Sequence, residues 1–331
     1  MKAAVYDRFG PADVVTLAER PTPSPAPDEI LVRVGAAAVT TADWRIRAAA
    51  FPGITKLPGH LMFGFRTPKQ PVLGVAMAGT VIATGHAVTR FKTGGRVFGF
   101  VGHGGHAEYV AVKEDAAVVA TPDALSDTEA ASLPFGGNSA LVFLRDVAKL
   151  QRGQHVLIVG ASGAVGSFAV QIAKAMGAVV TAVAGPGRAD MLTALGADRV
   201  IDYTQESVDA ARGAYDVVFD TVGVTHWGQM RHTLKPGGVF VPLNMAGREL
   251  WDMIRAKLTG GPRVALAVSS DTAEDLTRLT GWIAEGRLRP VVDHIYPFER
   301  IFDAYRQVES RHSTGTVVLE MNAQTATALS A

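Results

Sequence analysis

The chain has 331 residues, room for one large domain or two ordinary ones, and its 48% hydrophobic and 19% charged residues supply a sizeable core. Lys and Arg number 32 against 31 Asp and Glu, so no broad field draws nucleic acid or an anionic membrane, and an anionic ligand must be held by local groups. With no cysteine, the chain excludes disulfides, thiolate zinc sites and thiol nucleophiles.

The start, Met1-Lys2-Ala3-Ala4-Val5-Tyr6-Asp7, is charged and runs into strand-like sequence, which is not the pattern of a signal peptide. No apolar run reaches membrane-spanning length. The expectation is a soluble, cytoplasmic protein. Up to about residue 120 the chain reads as β, with short runs such as Ile30–Val34, Gly79–Ala83 and Arg96–Phe100 between Pro- and Gly-rich turns. The stretch Pro21–Pro27 has too many prolines for a central strand or helix and reads as an extended connector. Residues 48–71 lack periodicity and read as a loop or short-helix excursion, a lid or pocket wall. Gly102-His103-Gly104-Gly105-His106 reads as a Gly-rich turn at a cleft rim, because two histidines without nearby acids or thiolates do not make a zinc set.

The pattern changes at Ser126-Asp127-Thr128-Glu129, a capping box that opens a helix. Helical stretches then alternate with short β-branched runs: His155–Val159, Ala178–Val183, Arg199–Ile201, Asp216–Phe219, Gly238–Pro242 and Arg263–Val268. Strands spaced by helices imply βαβ units, a parallel sheet and, with right-handed crossovers, a doubly wound domain. After about residue 290 the chain includes β again, ending in Thr316–Leu319, and the small polar tail Asn322–Ala331 is expected to fray.

The run His155–Val159 has the character of a buried parallel strand, and Gly160-Ala161-Ser162-Gly163-Ala164-Val165-Gly166 follows it into a helical pattern that Gly177 stops. Gly163 lets the backbone approach a pyrophosphate, Gly166 lets helix and strand pack closely, and the N–H groups of the helix start face the anion. Ala161 departs from the first glycine of the dinucleotide fingerprint, but strand and helix stand where the motif requires them. The second strand ends in Ala184-Gly185-Pro186-Gly187-Arg188, with a guanidinium where an NAD site carries an acid, and Tyr203 adds a hydroxyl on that side. This favours NADP(H). The plainer readings are a turn that binds nothing and, for Arg188, a solvated surface charge.

These residues, with Met1–Val5, Pro71-Val72-Leu73-Gly74, Val97-Phe98-Gly99, Leu195-Gly196-Ala197-Asp198, Asp216–Gly223 and Leu234–Gly238, resemble the medium-chain dehydrogenase/reductase superfamily, in its zinc-free quinone oxidoreductase (zeta-crystallin-like) branch. The resemblance spans the chain. It implies an α/β protein with a GroES-like β-rich catalytic domain, residues 1–125 and 290–331, plus a doubly wound Rossmann cofactor domain, residues 126–289. It further implies hydride transfer in the cleft between them, a homodimer, and no partner beyond a small-molecule substrate. Cofactor contacts are expected at Ser139, Ala161, Ser162, Gly163, Ala164, Val165, Gly166, Ala184, Arg188, Tyr203, Val222, Gly223 and Asn244. Two departures matter: Thr40-Thr41-Ala42-Asp43 replaces the family's Asn-Pro before an Asp, and Gly74-Val75-Ala76 stands where zinc-dependent relatives carry Gly-His-Glu.

Without a metal Lewis acid, hydride transfer needs an electron-poor acceptor or hydrogen-bond donors aimed at the developing oxyanion. Quinones and α,β-unsaturated carbonyls meet that need, with Thr40 and Asn244 as the expected donors. Trp44, Phe51, Phe63, Phe65 and Phe135 read either as walls of a pocket for flat acceptors or as plain core. Arg47 reads as a structural ion pair or a grip on an acidic substrate. The competing functional readings are a zinc-independent NADP-dependent alcohol or aldehyde dehydrogenase and a non-catalytic NADPH-binding sensor or structural protein.

Overall fold

A computed structural model describes residues 1–51 and 53–321; Pro52 and the tail 322–331, whose fraying was expected, lie outside the described residues. The chain opens with a hairpin of β1 (Lys2–Val5) and β2 (Thr16–Glu19). The spine of the first sheet is β3 (Glu29–Val39), 11 residues long. It is followed by helices α1 (Thr41–Ala48) and α2 (Lys56–Phe63), then by β4 (Ala76–Thr84), β5 (Arg96–Phe100), β6 (Tyr109–Lys113) and β7 (Val118–Ala120). Ile30, Val32 and Val34 of β3 face one core cluster, and Ala37 and Val39 continue it on the opposite parity. A register irregularity between Val34 and Ala36 accounts for the switch, since one extra residue reverses which side chains face inward. Gly35 sits there because a Cβ would fall 2.1 Å from the Asp127 carboxylate.

Asp127 also accepts from Arg96 and opens α3 (Asp127–Leu133). The expected capping box is formed: Ser126 N donates to Glu129, and Glu129 N donates to the Ser126 hydroxyl. The helix continues through α4 (Ser139–Val142), bracketed by wider π-type turns at Pro134–Asn138 and Phe143–Val147. Such turns re-aim side chains in a helix and recur at functional sites.

The second unit follows: β8 (His155–Val159), α5 (Ala164–Ala175), β9 (Val179–Ala184), α6 (Ala189–Ala194), β10 (Arg199–Asp202), β11 (Tyr215–Asp220), α7 (Trp227–Met230), β12 (Leu234–Pro242), α8 (Gly247–Thr259), β13 (Arg263–Val264) and α9 (Ala273–Ala284). Its six strands are all parallel, in the order β10-β9-β8-β11-β12-β13. That is the doubly wound dinucleotide-binding order, with the topological switch between β8 and β11, where ligands of such sheets bind. The last strand is shorter than the expected Arg263–Val268. After Ala265 N donates to Phe240 O the chain leaves the ladder, and Ala267, Val268 and Ser269 wall the cleft instead.

The chain then returns to the first sheet with β14 (Val292–Pro297), α10 (Ile301–Ser310) and β15 (Thr316–Glu320). The order there is β14-β15-β3-β4-β5-β7, with β6 added alongside β3. One core cluster joins the two units: Ala36, Ala78, Phe98 and Val318 share it with Leu133, Phe168 and Val170. No helix among the described residues is long and apolar enough to cross a membrane.

Candidate active site

The loop from β8 to α5 is built as the sequence requires. Gly160 has φ +77°, and a Cβ on it would lie 2.6 Å from the Val222 side chain. A Cβ on Gly166 would lie 2.1 Å from Gly160 O and 2.6 Å from Ala161 Cα, so only glycine lets α5 pack this closely on β8. Gly163 is the N-cap of α5 and carries no capping side chain, which leaves the first-turn N–H groups for an anion. Ser162 O accepts from Gly315 N at 2.8 Å, which ties the loop to the start of β15.

At the end of β9, Tyr203 N donates to Ala184 O, and the Tyr203 hydroxyl lies 3.2 Å from where a Cβ on Gly185 would be. Arg188 caps the following helix with its backbone, half-buried, and its side chain has no acidic partner among the described residues. Beyond β11, the Asp220 carboxylate is fully buried and accepts from Val222 N, Gly223 N, Thr225 N and the Thr225 hydroxyl. This fixes a loop in which Gly223 has φ +75° and a Cβ would lie 2.0 Å from Asn244 Nδ2. Asn244 therefore sits hard against the loop and donates to Val222 O at 3.1 Å.

These elements line one cavity of about 490 Å³. Thr40, Trp44, Phe51, Phe135, Ser139, Gly163, Ala164, Val165, Val222 and Asn244 all reach it. Phe51 and Phe63 stack in it at 5.6 Å, whereas Phe65 is exposed and stacks on His60 outside it. Ala161, Ser162, Gly166, Ala184, Arg188, Tyr203 and Gly223 are not among its lining and follow the sheet edge instead.

Two expected roles change. Thr40 is the N-cap of α1: its hydroxyl accepts from Asp43 N and donates to Asp43 Oδ2 at 2.6 Å. Its single proton is thus committed to the capping box and is not free for an acceptor in the cleft. His106 is not at a rim. It is fully buried, with Nε2 2.9 Å from Ala38 O and Nδ1 3.1 Å from the Tyr305 hydroxyl, and Gly74, at φ +98°, makes room for its backbone.

Arg47 resolves as structural. It is fully buried, donates to Glu309, and lies over the Tyr305 ring at 4.6 Å. The α1 arginine that reaches the cavity is Arg45, which no sequence motif singles out. Its Nη2 donates to Asn244 Oδ1. Burial, followed by the like charge of Arg311, holds its pKa below the ordinary arginine value. Arg311 also lines the cavity, and its guanidinium lies 5.4 Å from the centre of the Trp44 ring. Asp43, fully buried, anchors the turn through Thr40 N, the Thr40 hydroxyl and Val75 N.

The chain is 31% identical over 333 residues to an NADPH-dependent alkenal/one oxidoreductase, chloroplastic, of Arabidopsis thaliana, covering 96% of this chain and 79% of that relative. The chain belongs to the medium-chain dehydrogenase/reductase superfamily, quinone oxidoreductase branch. Residues 26–123 match the alcohol dehydrogenase GroES-like domain, and residues 195–319 match the family described as zinc-binding dehydrogenase. A quinone-oxidoreductase homolog, chloroplastic, of Spinacia oleracea is 30% identical over 334 residues, covering 97% of this chain and 98% of that one. Among solved structures, the quinone oxidoreductase of Coxiella burnetii superposes with a TM-score of 0.85 at 29% identity, covering 97% of this chain and 99% of that one. The two sheets are accordingly the GroES-like and Rossmann-type parts of this superfamily's fold.

Proposed function

We propose that the protein is a zinc-independent, NADPH-dependent reductase of quinones or α,β-unsaturated carbonyls. The observation that carries the reading is the cavity itself: aromatic walls from the GroES-like part face the uncapped start of α5, and no acid among the described residues lines it. The relatives named as an alkenal/one oxidoreductase and a quinone-oxidoreductase homolog support the same chemistry.

The residues present fit a nicotinamide dinucleotide. Gly163 and the first turn of α5 would hold the pyrophosphate, Asn244 and Val222 the nicotinamide end, and Arg188 with Tyr203 the adenosine 2′-phosphate. When bound, the cofactor would supply a hydride, one proton with two electrons, to the electron-poor carbon of the acceptor. The acceptor then gains a proton from water, so NADPH, a proton and the acceptor yield NADP⁺ and the reduced acceptor. Asn244 keeps one amide N–H beyond the one given to Val222 O, so the oxyanion contact is assigned to it. Thr40 instead holds α1, and through it Arg45, in position.

The same residues do not fit zinc. The chain has no cysteine, no His, Asp or Glu lines the cavity, and no cluster of three His, Asp or Glu occurs among the described residues. The division at 125/126 and 289/290 is supported by the two sheets that fall on either side of it. A cytoplasmic location and a homodimer complete the reading; the absence of cysteine, which fits a reducing compartment, supports the first, and family resemblance the second.

The test follows the reduced-nicotinamide absorbance of chelator-treated protein with NADPH or NADH and with 1,4-benzoquinone, a polycyclic ortho-quinone or an enal. Turnover with NADPH well above NADH supports the proposal. Tight NADPH binding without turnover of any acceptor replaces it with a non-catalytic role.

A further inference from the structure

Among the described residues, Arg45 and Arg311 are the only charged ones lining the cavity, and neither has an acidic partner there. Arg45 is half-buried in the cavity wall and Arg311 stands exposed at its edge; holding the Arg45 charge partly out of water beside a like charge and without a counter-ion is unfavourable, and folded proteins normally pair such a group. Arg47, two residues from Arg45, shows the ordinary solution in its bond to Glu309. Arg45 instead makes its one side-chain bond to the neutral oxygen of Asn244, leaving most of its donors unspent.

Arg311 is unusual in a second, independent way. It is the C-cap of α10 with φ +58°, a left-handed conformation that glycine adopts freely and arginine does not. A side chain kept at such a position points to a role for that side chain. Its guanidinium packs over Trp44, the residue adjacent to Arg45, so the two charges converge on one wall of the cavity.

We propose that Arg45 and Arg311 form an anion clamp at the acceptor end of the cleft, so that the preferred acceptor is an activated alkene or quinone bearing a carboxylate. The proposal rests on the reductase reading of the same site. Both arginines come from the GroES-like part, and Arg45 is bonded to Asn244, away from the Arg188 and Tyr203 end of the sheet. The clamp therefore faces the acceptor and not the adenosine phosphate. The apolar walls, Trp44, Phe51, Phe63 and Phe135, take the conjugated body of the acceptor while the carboxylate meets the guanidinium forks.

A matched pair of acceptors tests this: (E)-4-oxopent-2-enoate and its methyl ester, each reduced with NADPH by the full-length chain. The carboxylate is expected to be favoured in kcat/KM by about tenfold or more, with the preference shrinking as salt rises. Arg311→Gly should bring the carboxylate-to-ester ratio close to one and Arg311→Lys should restore part of it. Arg311→Gly should also fold at least as well as the parent, because glycine relieves the φ +58° backbone. A parent that prefers the ester, or an Arg311→Gly variant that keeps the carboxylate preference, overturns the clamp. So does an effect of Arg311→Gly confined to the KM for NADPH, which would assign the charge to the cofactor. Binding of levulinate, read by calorimetry, separates the two levels: if neither acceptor turns over but levulinate binds and Arg311→Gly abolishes binding, the clamp stands and the reductase reading falls.

Discussion

Two glycines in one loop are predicted to fail in different ways when each gains a methyl group. At Gly166 the new Cβ would lie 2.1 Å from Gly160 O and 2.6 Å from Ala161 Cα, both backbone atoms. The first contact is roughly 1 Å inside normal van der Waals distance, so α5 must move off β8. Alanine gains about 0.5–1 kcal/mol over glycine from its lower backbone entropy in a helix. Overpacking costs about 1–3 kcal/mol, and because both clashing atoms are backbone the upper part of that range applies, for a net loss of about 1–2 kcal/mol. At Gly163 the nearest atom is 3.5 Å away and φ is −76°, which any residue adopts, so Gly163→Ala should leave stability within about 0.5 kcal/mol. It should nevertheless weaken NADPH binding by about tenfold or more, because a methyl group then stands between the first-turn N–H groups and a phosphate. Urea unfolding followed by tryptophan fluorescence and NADPH titration by nicotinamide fluorescence measure the two quantities. If Gly166→Ala is as stable as the parent, the close-packing argument is wrong; if Gly163→Ala binds NADPH like the parent, the loop is not the phosphate cradle.

Other substitutions test the surrounding shell. Arg188→Ala should raise the KM for NADPH by about tenfold while leaving that for NADH nearly unchanged, since only the 2′-phosphate meets the guanidinium. Asp43→Asn keeps the shape but puts an amide against donors that the carboxylate accepts from, and should cost about 1–3 kcal/mol in urea unfolding. The Tyr6 phenol is pushed up to about 12 by burial and then by the Asp43 charge, and Tyr305 is raised by the same two causes. A raised phenol pKa means the fold favours the protonated form, so its contribution is complete below about pH 10 and is lost as pH climbs through 12. Unfolding free energy should therefore fall in that window, and Tyr6→Phe should flatten the decline.

Legibility in the sequence follows the strength of the local signal. Arg96–Phe100 and His155–Val159 match the observed strands residue for residue, because each is a short β-branched or apolar run between turn-formers. The β8–α5 loop is equally plain, since its glycines answer to backbone contacts within a few residues. The excursion after Ala48 is not. Helix α2, Lys-Leu-Pro-Gly-His-Leu-Met-Phe, carries Pro58 and Gly59, which read as breakers. Pro58 is tolerated because it lies in the first turn, and Gly59 is demanded by the Phe51 ring, which would lie 2.4 Å from a Cβ at that position. Arg45 and Arg47 are indistinguishable by type. Two residues along a helix turn the side chain by roughly 200°, so one faces the cavity and the other Glu309. Which face is which depends on α10, more than 250 residues away in the chain. His106 departs from its expected role for the same reason, since its partner Tyr305 lies in α10; Thr40 departs for a local one, its partner Asp43 standing three residues on at the capping-box spacing that the sequence already carries.

The pairing of β3 has a consequence for how the polypeptide emerges during synthesis. Along one edge of β3, Glu29–Arg33 pair with β6, but Ala36–Val39 pair with β15, which lies far downstream in the chain. Until some 280 further residues have been added, half of that edge presents unpaired N–H and C=O groups. The nascent GroES-like part is therefore left with a sticky margin through the whole translation of the Rossmann part. Chaperone demand should peak in that interval and end when the β15 segment clears the ribosome, which makes β15 the latch of the GroES-like part.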